Sequence, residues 1–199
     1  MRLGYNTNGL AHHRWEDALT LIAEAGYRAV AITVDHHCLP PWSPTLQADI
    51  LRMRAMLERY DLQCVIETGA RFILDPRRKH APTLLSPTAA ERECRLQFLR
   101  YCVALAAALN ANAVSFWSGT DQECTQTEWL WSRLVEGCSV LLDHAKRQAI
   151  RLAFEPEPGM FIQTGDEFQR LLDTVKHPLF GLTLDIGHVH CLQDGSIAD

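Results

Sequence analysis

The sequence has no apolar stretch approaching the ~20 residues that span a bilayer. Its N-terminus, Met1-Arg2-Leu3-Gly4-Tyr5, opens no apolar signal-peptide core, so a cytoplasmic protein without a membrane partner is expected. There is no excess of positive charge. A formal net charge of −5 lacks the basic footprint of a nucleic-acid binder, and nucleic acid is not expected as a partner. There is no C-x-x-C pair either. Seven irregularly spaced cysteines, an odd number, argue against a disulfide framework. Cys94, Cys102 and Cys138 fall in helical patterns and Cys64 in a strand, where a thiol reads as a small buried hydrophobe. None is assigned a catalytic role.

What the chain does have is enough apolar material for a sizeable core, with 47% hydrophobic and 22% charged residues over 199 positions. Short β-rich runs alternate with longer helical ones. The strands read as Arg2 to Tyr5, Ala29 to Val34, Gln63 to Glu67, Ala113 to Trp117, Arg151 to Phe154 and Gly181 to Leu184. Between them, helices are predicted from about Trp15 to Ala25, ending on Gly26, and from the Ser43-Pro44 start to about Tyr60. Thr88-Ala89-Ala90-Glu91 is a capping box for a helix reaching Leu109. Thr125-Gln126-Thr127-Glu128 opens the next, to about Gln148, and Thr164-Gly165-Asp166-Glu167 a fifth that ends before Pro178.

Strands buried on both faces and separated by helices demand a mostly parallel sheet. A doubly wound sheet would carry a glycine-rich loop after its first strand, and here that turn reads Asn6-Thr7-Asn8-Gly9-Leu10. A (β/α)₈ TIM barrel explains more. Polar or ionisable residues end every strand: Asn6, Asp35 to His37, Glu67, Ser115 and Ser118, Glu155 and Glu157, then Asp185 and His188. In a barrel that face carries the active site. Eight units and ~250 residues are usual, and six units are legible. Residues 1–199 are therefore expected to form a single incomplete barrel domain, truncated after strand six.

The chemistry concentrates in two strand ends. Thr183-Leu184-Asp185-Ile186-Gly187-His188 delivers a carboxylate and an imidazole within four residues, and Phe154-Glu155-Pro156-Glu157 ends an apolar strand on an acid. Mixed carboxylate and histidine ligands suit a divalent cation such as Mn²⁺, Zn²⁺ or Mg²⁺. Each residue also has a blander role: Asp185 as a turn cap, His188 as a hydrogen-bonded structural histidine, Glu157 as a surface acid. The loop after strand three, Glu67 to His80, holds Arg71, Arg77, Arg78 and Lys79, suited either to an anionic substrate or to solvent. Arg71 is the best placed of these, with Glu67 to orient it or reach the site itself. Trp117 is a candidate wall for a sugar's apolar face, with a core position as the equal alternative. His36, His37, His12, His13 and His190 are weaker candidates for the pocket.

On Phe154-Glu155-Pro156-Glu157 and Leu184-Asp185-Ile186-Gly187-His188 the chain resembles the sugar phosphate isomerase/epimerase proteins of the xylose isomerase-like TIM-barrel superfamily. Endonuclease IV-type enzymes also belong to it. The resemblance implies a metal held by glutamate, aspartate, histidine and glutamate from strands five to eight. Carried over, Glu155 and Asp185 are metal ligands and His188 binds substrate or handles a proton. The expected activity is a divalent-metal-dependent isomerase or epimerase acting on a sugar, sugar phosphate or polyol through an enediolate. Its partner would be a small carbohydrate, neutral or anionic, with homo-oligomerisation left open. A metal-dependent phosphodiesterase using His36, His80 and His188, or a non-catalytic barrel fragment, are the alternatives.

Overall fold

The computed structural model describes residues 2–69, 71–121 and 126–192. The capping role expected of Thr125, Cys124 and the C-terminal Ile197-Ala198-Asp199 lie outside those residues. The sheet has six parallel strands in sequential order: β1 (Gly4–Asn6), β2 (Ala29–Thr33), β3 (Gln63–Glu67), β4 (Ala113–Phe116), β5 (Arg151–Phe154) and β6 (Phe180–Leu182). The helices are α1 (Trp15–Glu24), α2 (Leu46–Arg59), α3 (Ala89–Leu109), α4 (Thr127–Arg147), α5 (Gly165–Val175) and α6 (Ile186–Leu192), with a 3₁₀ turn at Thr7–Leu10. This is the α/β architecture of a barrel wall. Among the described residues β1 and β6 are its two edges.

Local chemistry sets most of the boundaries. The Thr88 and Thr164 hydroxyls accept from the Glu91 and Glu167 amides, and both glutamates reach back, completing two capping boxes. Gly26, at φ +90, ends α1 in a left-handed turn, with its N–H on the Ala23 carbonyl and that of Tyr27 on Ile22. The start of α2 differs from expectation. Ser43 Oγ accepts from the Thr45 amide in a turn, so the helix opens at Leu46 and not directly after Pro44. β6 starts one residue earlier and ends two earlier than the expected Gly181 to Leu184, because the chain leaves the ladder after Leu182 and turns into α6, a helix not expected from the sequence.

Strand alternation sorts side chains to two faces. Ile32, Ile66, Val114, Phe116, Leu152 and Phe154 are fully buried under the helices. There Phe116, Phe154, Phe168 and Phe180 pack with centroids 5.2 to 6.3 Å apart, each pair worth about 0.5–1.5 kcal/mol beyond area burial. The other face lines an open cleft of about 860 Å³ bordered by Gly4, Asn6, Ala31, Val65, Leu184 and Asp185. Across the sheet Thr33, Glu67, Ser115, Ala153 and Gly181 lie in one register row. That row places Glu67 and Ser115 side by side, two residues below the Glu155 level.

Three of the cysteines read as buried hydrophobes, Cys64, Cys102 and Cys138, behave as expected, and Cys38 joins them. Cys38, Cys64, Cys102 and Cys138 are buried, and burial pushes the Cys38 and Cys64 thiols up to about 12, far from nucleophilic thiolates. Cys94 departs from the reading of a buried helix thiol: it is exposed on α3.

Candidate metal and substrate site

Glu155 begins where β5 ends. Its N–H donates to the Phe116 carbonyl at 2.8 Å, one residue past the ladder, which holds the residue to the tip of β4. Its carboxyl is pushed up to about 7, first by burial and then by the charges of Glu67, Glu157 and Asp185. Those causes also show what surrounds it. The charge of Glu157, for which a surface role had stood open, thus reaches Glu155 along with those of Glu67 and Asp185.

Asp185 lies at the mouth of α6 and uses its two oxygens differently. Oδ1 accepts from the amides of Gly187 at 2.7 Å and His188 at 3.2 Å, a helix cap. Oδ2 lies 3.6 Å from His188 Nε2. His188 Nδ1 is 3.3 Å from the Pro156 carbonyl and 3.9 Å from Glu155 Oε1. The tautomer that donates from Nδ1 to Pro156 leaves Nε2 as an acceptor facing another acceptor, Asp185 Oδ2. One ligand atom each from Glu155, Asp185 and His188 lies within 4.8 Å of the others, the one such group among the described residues. Crowded anionic oxygens and an acceptor nitrogen are relieved by a cation, and the donor set suits a divalent one.

Glu67, half-buried, is raised in its carboxyl pKa, mainly by burial; Glu157 adds to the shift, while a hydrogen bond from Ser115 and the charge of Arg95 oppose it. Ser115 Oγ lies 2.8 Å from Thr183 Oγ1, so a hydroxyl pair joins β4 to the chain just after β6. The charged loop after β3 divides. Arg78 is held by Asp75 at 2.7 Å and Glu91 at 3.0 Å, tying the loop to the start of α3. Arg77 and Lys79 are exposed, and Arg71 is half-buried with its carbonyl accepting from the His80 amide. Trp117 is 6% exposed, with Arg95 over its ring and the His80 ring edge-on at 5.6 Å.

The remaining histidines stay apart from the cluster. His36 is exposed beside Trp42, His37 lines a small cavity with Thr7, Asp35 and Cys38, and His12, His13 and His190 are exposed. His36 and His80 are not in the group around Glu155, which among the described residues holds one histidine, His188. Sequence reasoning missed Arg95. A lone arginine among Arg92, Glu93 and Arg100 on a helix carries no signal of burial.

The model of the family described as xylose isomerase-like TIM barrel matches residues 19–199. The chain belongs to that family. No curated protein sequence matches it. Among solved structures it is similar to the D-psicose 3-epimerase of Clostridium cellulolyticum H10 with D-tagatose (TM-score 0.77, 16% identity, 98% of this chain and 67% of that one). It is also similar to an IolI protein with a zinc atom (TM-score 0.79, 15% identity, 98% and 66%) and to an L-ribulose 3-epimerase (TM-score 0.78, 17% identity, 96% and 62%). At those identities the likeness is one of fold. The chain spans about two thirds or less of the length of these structures.

Proposed function

We propose that the protein works as a divalent-metal-dependent isomerase or epimerase on a sugar, sugar phosphate or related polyol, by way of an enediolate. The observation that carries this reading is the Glu155, Asp185 and His188 group at the C-terminal ends of β5 and β6. The epimerases named among the fold neighbours support the substrate class.

Glu155 and Asp185 would hold the cation with His188 beside it. Bound there, it would supply Lewis-acid polarisation of a substrate carbonyl oxygen. The chain's own groups do the rest. Glu155 is also the carboxylate suited to move a proton at the carbon beside that carbonyl, burial and the neighbouring acids raising its proton affinity in the metal-free chain. His188, fixed by the Pro156 carbonyl and the Asp185 cap, orients a substrate hydroxyl. Glu67 and Arg71 face the substrate from the β3 side, and the edge of Trp117 with His80 walls it.

Calorimetric titration with Mn²⁺ and Zn²⁺, alongside a ketose C3-epimerisation assay of D-fructose, tests the reading. Saturable binding lost in Glu155→Gln and Asp185→Asn is expected. Binding that persists in both variants removes these residues from the site and the reading with them.

A further inference from the structure

One side chain on α3 is charged where the packing is apolar. Arg95 is 1% exposed, and its Cζ lies 4.7 Å from the ring centre of Trp117 and 5.5 Å from that of Phe98. Nη2 donates to the Thr68 carbonyl at 3.0 Å and lies 3.4 Å from Thr68 Oγ1. Nη1 has no hydrogen-bond partner among the described residues. Burial pulls the guanidinium down to about 10, so it is still charged at neutral pH, with Glu67 as the carboxylate whose charge reaches it. A buried cation with an unused donor is an expensive core residue, and apolar replacements of buried charges are often as stable or more so. Stability therefore does not account for it.

Its contacts close a circuit. Thr68 Oγ1 donates to the Ser115 carbonyl at 2.7 Å, joining the tips of β3 and β4. Gly69 O bonds His80 Nδ1, His80 packs edge-on against Trp117 at 86°, and Trp117 lies under Arg95 again. The circuit runs from α3 through the β3 tip and its loop to the β4 tip, and Glu67 stands beside it. Only a planar, forked cation both stacks on the indole and donates to the carbonyl, which lysine does not reproduce.

We infer that Arg95 is a positioning residue for the substrate site. From beneath, it locks the β3 tip that carries Glu67 to the wall made by Trp117 and His80, without touching substrate itself. The inference rests on the sugar-site reading for its ligand, but the loop order it describes is measurable without one.

The test compares the full chain with Arg95→Met and Arg95→Lys, using amide hydrogen exchange, Mn²⁺ calorimetry and D-fructose binding in the presence of Mn²⁺. Exchange is expected to accelerate at least about tenfold in residues 68–80 and 115–119 in both variants, with β5 and the Mn²⁺ affinity unchanged. D-Fructose affinity should fall by about tenfold or more. Exchange that is unchanged, or accelerated equally in every strand, overturns the inference and leaves Arg95 a packing residue. A wild-type chain that binds no D-fructose sinks the sugar reading instead, while the exchange comparison still decides Arg95. If Arg95→Met does not fold, Arg95→Lys carries the same comparison.

Discussion

Asp185 meets His188 at two points: Oδ1 accepts its backbone N–H at 3.2 Å, and Oδ2 faces Nε2 of its ring at 3.6 Å. The same residue thus starts α6 and faces the imidazole that α6 presents. The sequence left Asp185 open as a turn cap or a metal ligand; in the structure Oδ1 makes the cap, and Oδ2, which takes no part in it, is the oxygen proposed for the metal.

That division makes Asp185→Asn informative, because asparagine caps a helix about as well as aspartate but offers no charge. Divalent-metal affinity should fall by about two orders of magnitude, while the thermal midpoint moves little. Asp185→Ala should lose the metal as well and add about 1 kcal/mol of destabilisation from the lost cap. Calorimetry and thermal unfolding of both variants check this; equal midpoints for the two would remove the capping role.

Glu155 gives the protein a pH dependence with a definite sign. Its carboxyl holds a proton up to about 7 when folded, against ~4.3 for a free glutamate. Between those values the folded state binds more protons, so its contribution to metal-free stability is full below the lower value and is lost as pH rises through about 7. Metal binding, which needs the carboxylate, should weaken about tenfold per pH unit below about 7. Urea midpoints and Mn²⁺ titrations from about pH 5 to about pH 8 measure both, and Glu155→Gln should flatten the first.

Arg71 is the basic residue of the β3 loop nearest the strand tip, and Arg78 beside it is already occupied by Asp75 and Glu91. Arg71→Ala should weaken binding of a ketose phosphate about tenfold while changing affinity for the neutral ketose by less than about twofold. Paired titrations with D-fructose and D-fructose 6-phosphate check it. An equal effect on both would assign the loop to solvent.

The two sheet edges carry exposed apolar side chains: Leu3 and Tyr5 at β1, and Leu182, Leu184 and Ile186 at and beyond β6. Unpaired edges with apolar surface recruit other chains. The 199-residue chain should self-associate with rising concentration, and Leu182→Lys with Leu184→Lys should reduce it. Light scattering measures the association, and hydrogen exchange the edges. A monomer with strongly protected amides in β1 and β6 would contradict this.

By itself the sequence determined the parts whose physics is local. β3 and β5 run where expected, Gln63–Glu67 and Arg151–Phe154, because short apolar runs bounded by turn signals have few other conformations. The Thr88 and Thr164 boxes close over three residues, and Gly26 supplies the one left-handed turn α1 needs. The Glu155 and Asp185-x-Gly187-His188 ends were legible too, since carboxylates that terminate buried strands stand out against an apolar pattern. What only the tertiary structure decided depends on segments distant in the chain. Glu157 raises the proton affinity of Glu155, Asp75 and Glu91 capture Arg78, and Thr68 and Trp117 enclose Arg95. Helix propensity is indifferent to whether an arginine faces water or core, so nothing within α3 distinguishes Arg95 from Arg92 or Arg100. The burial that makes it costly exists only once β3, β4 and α3 have packed.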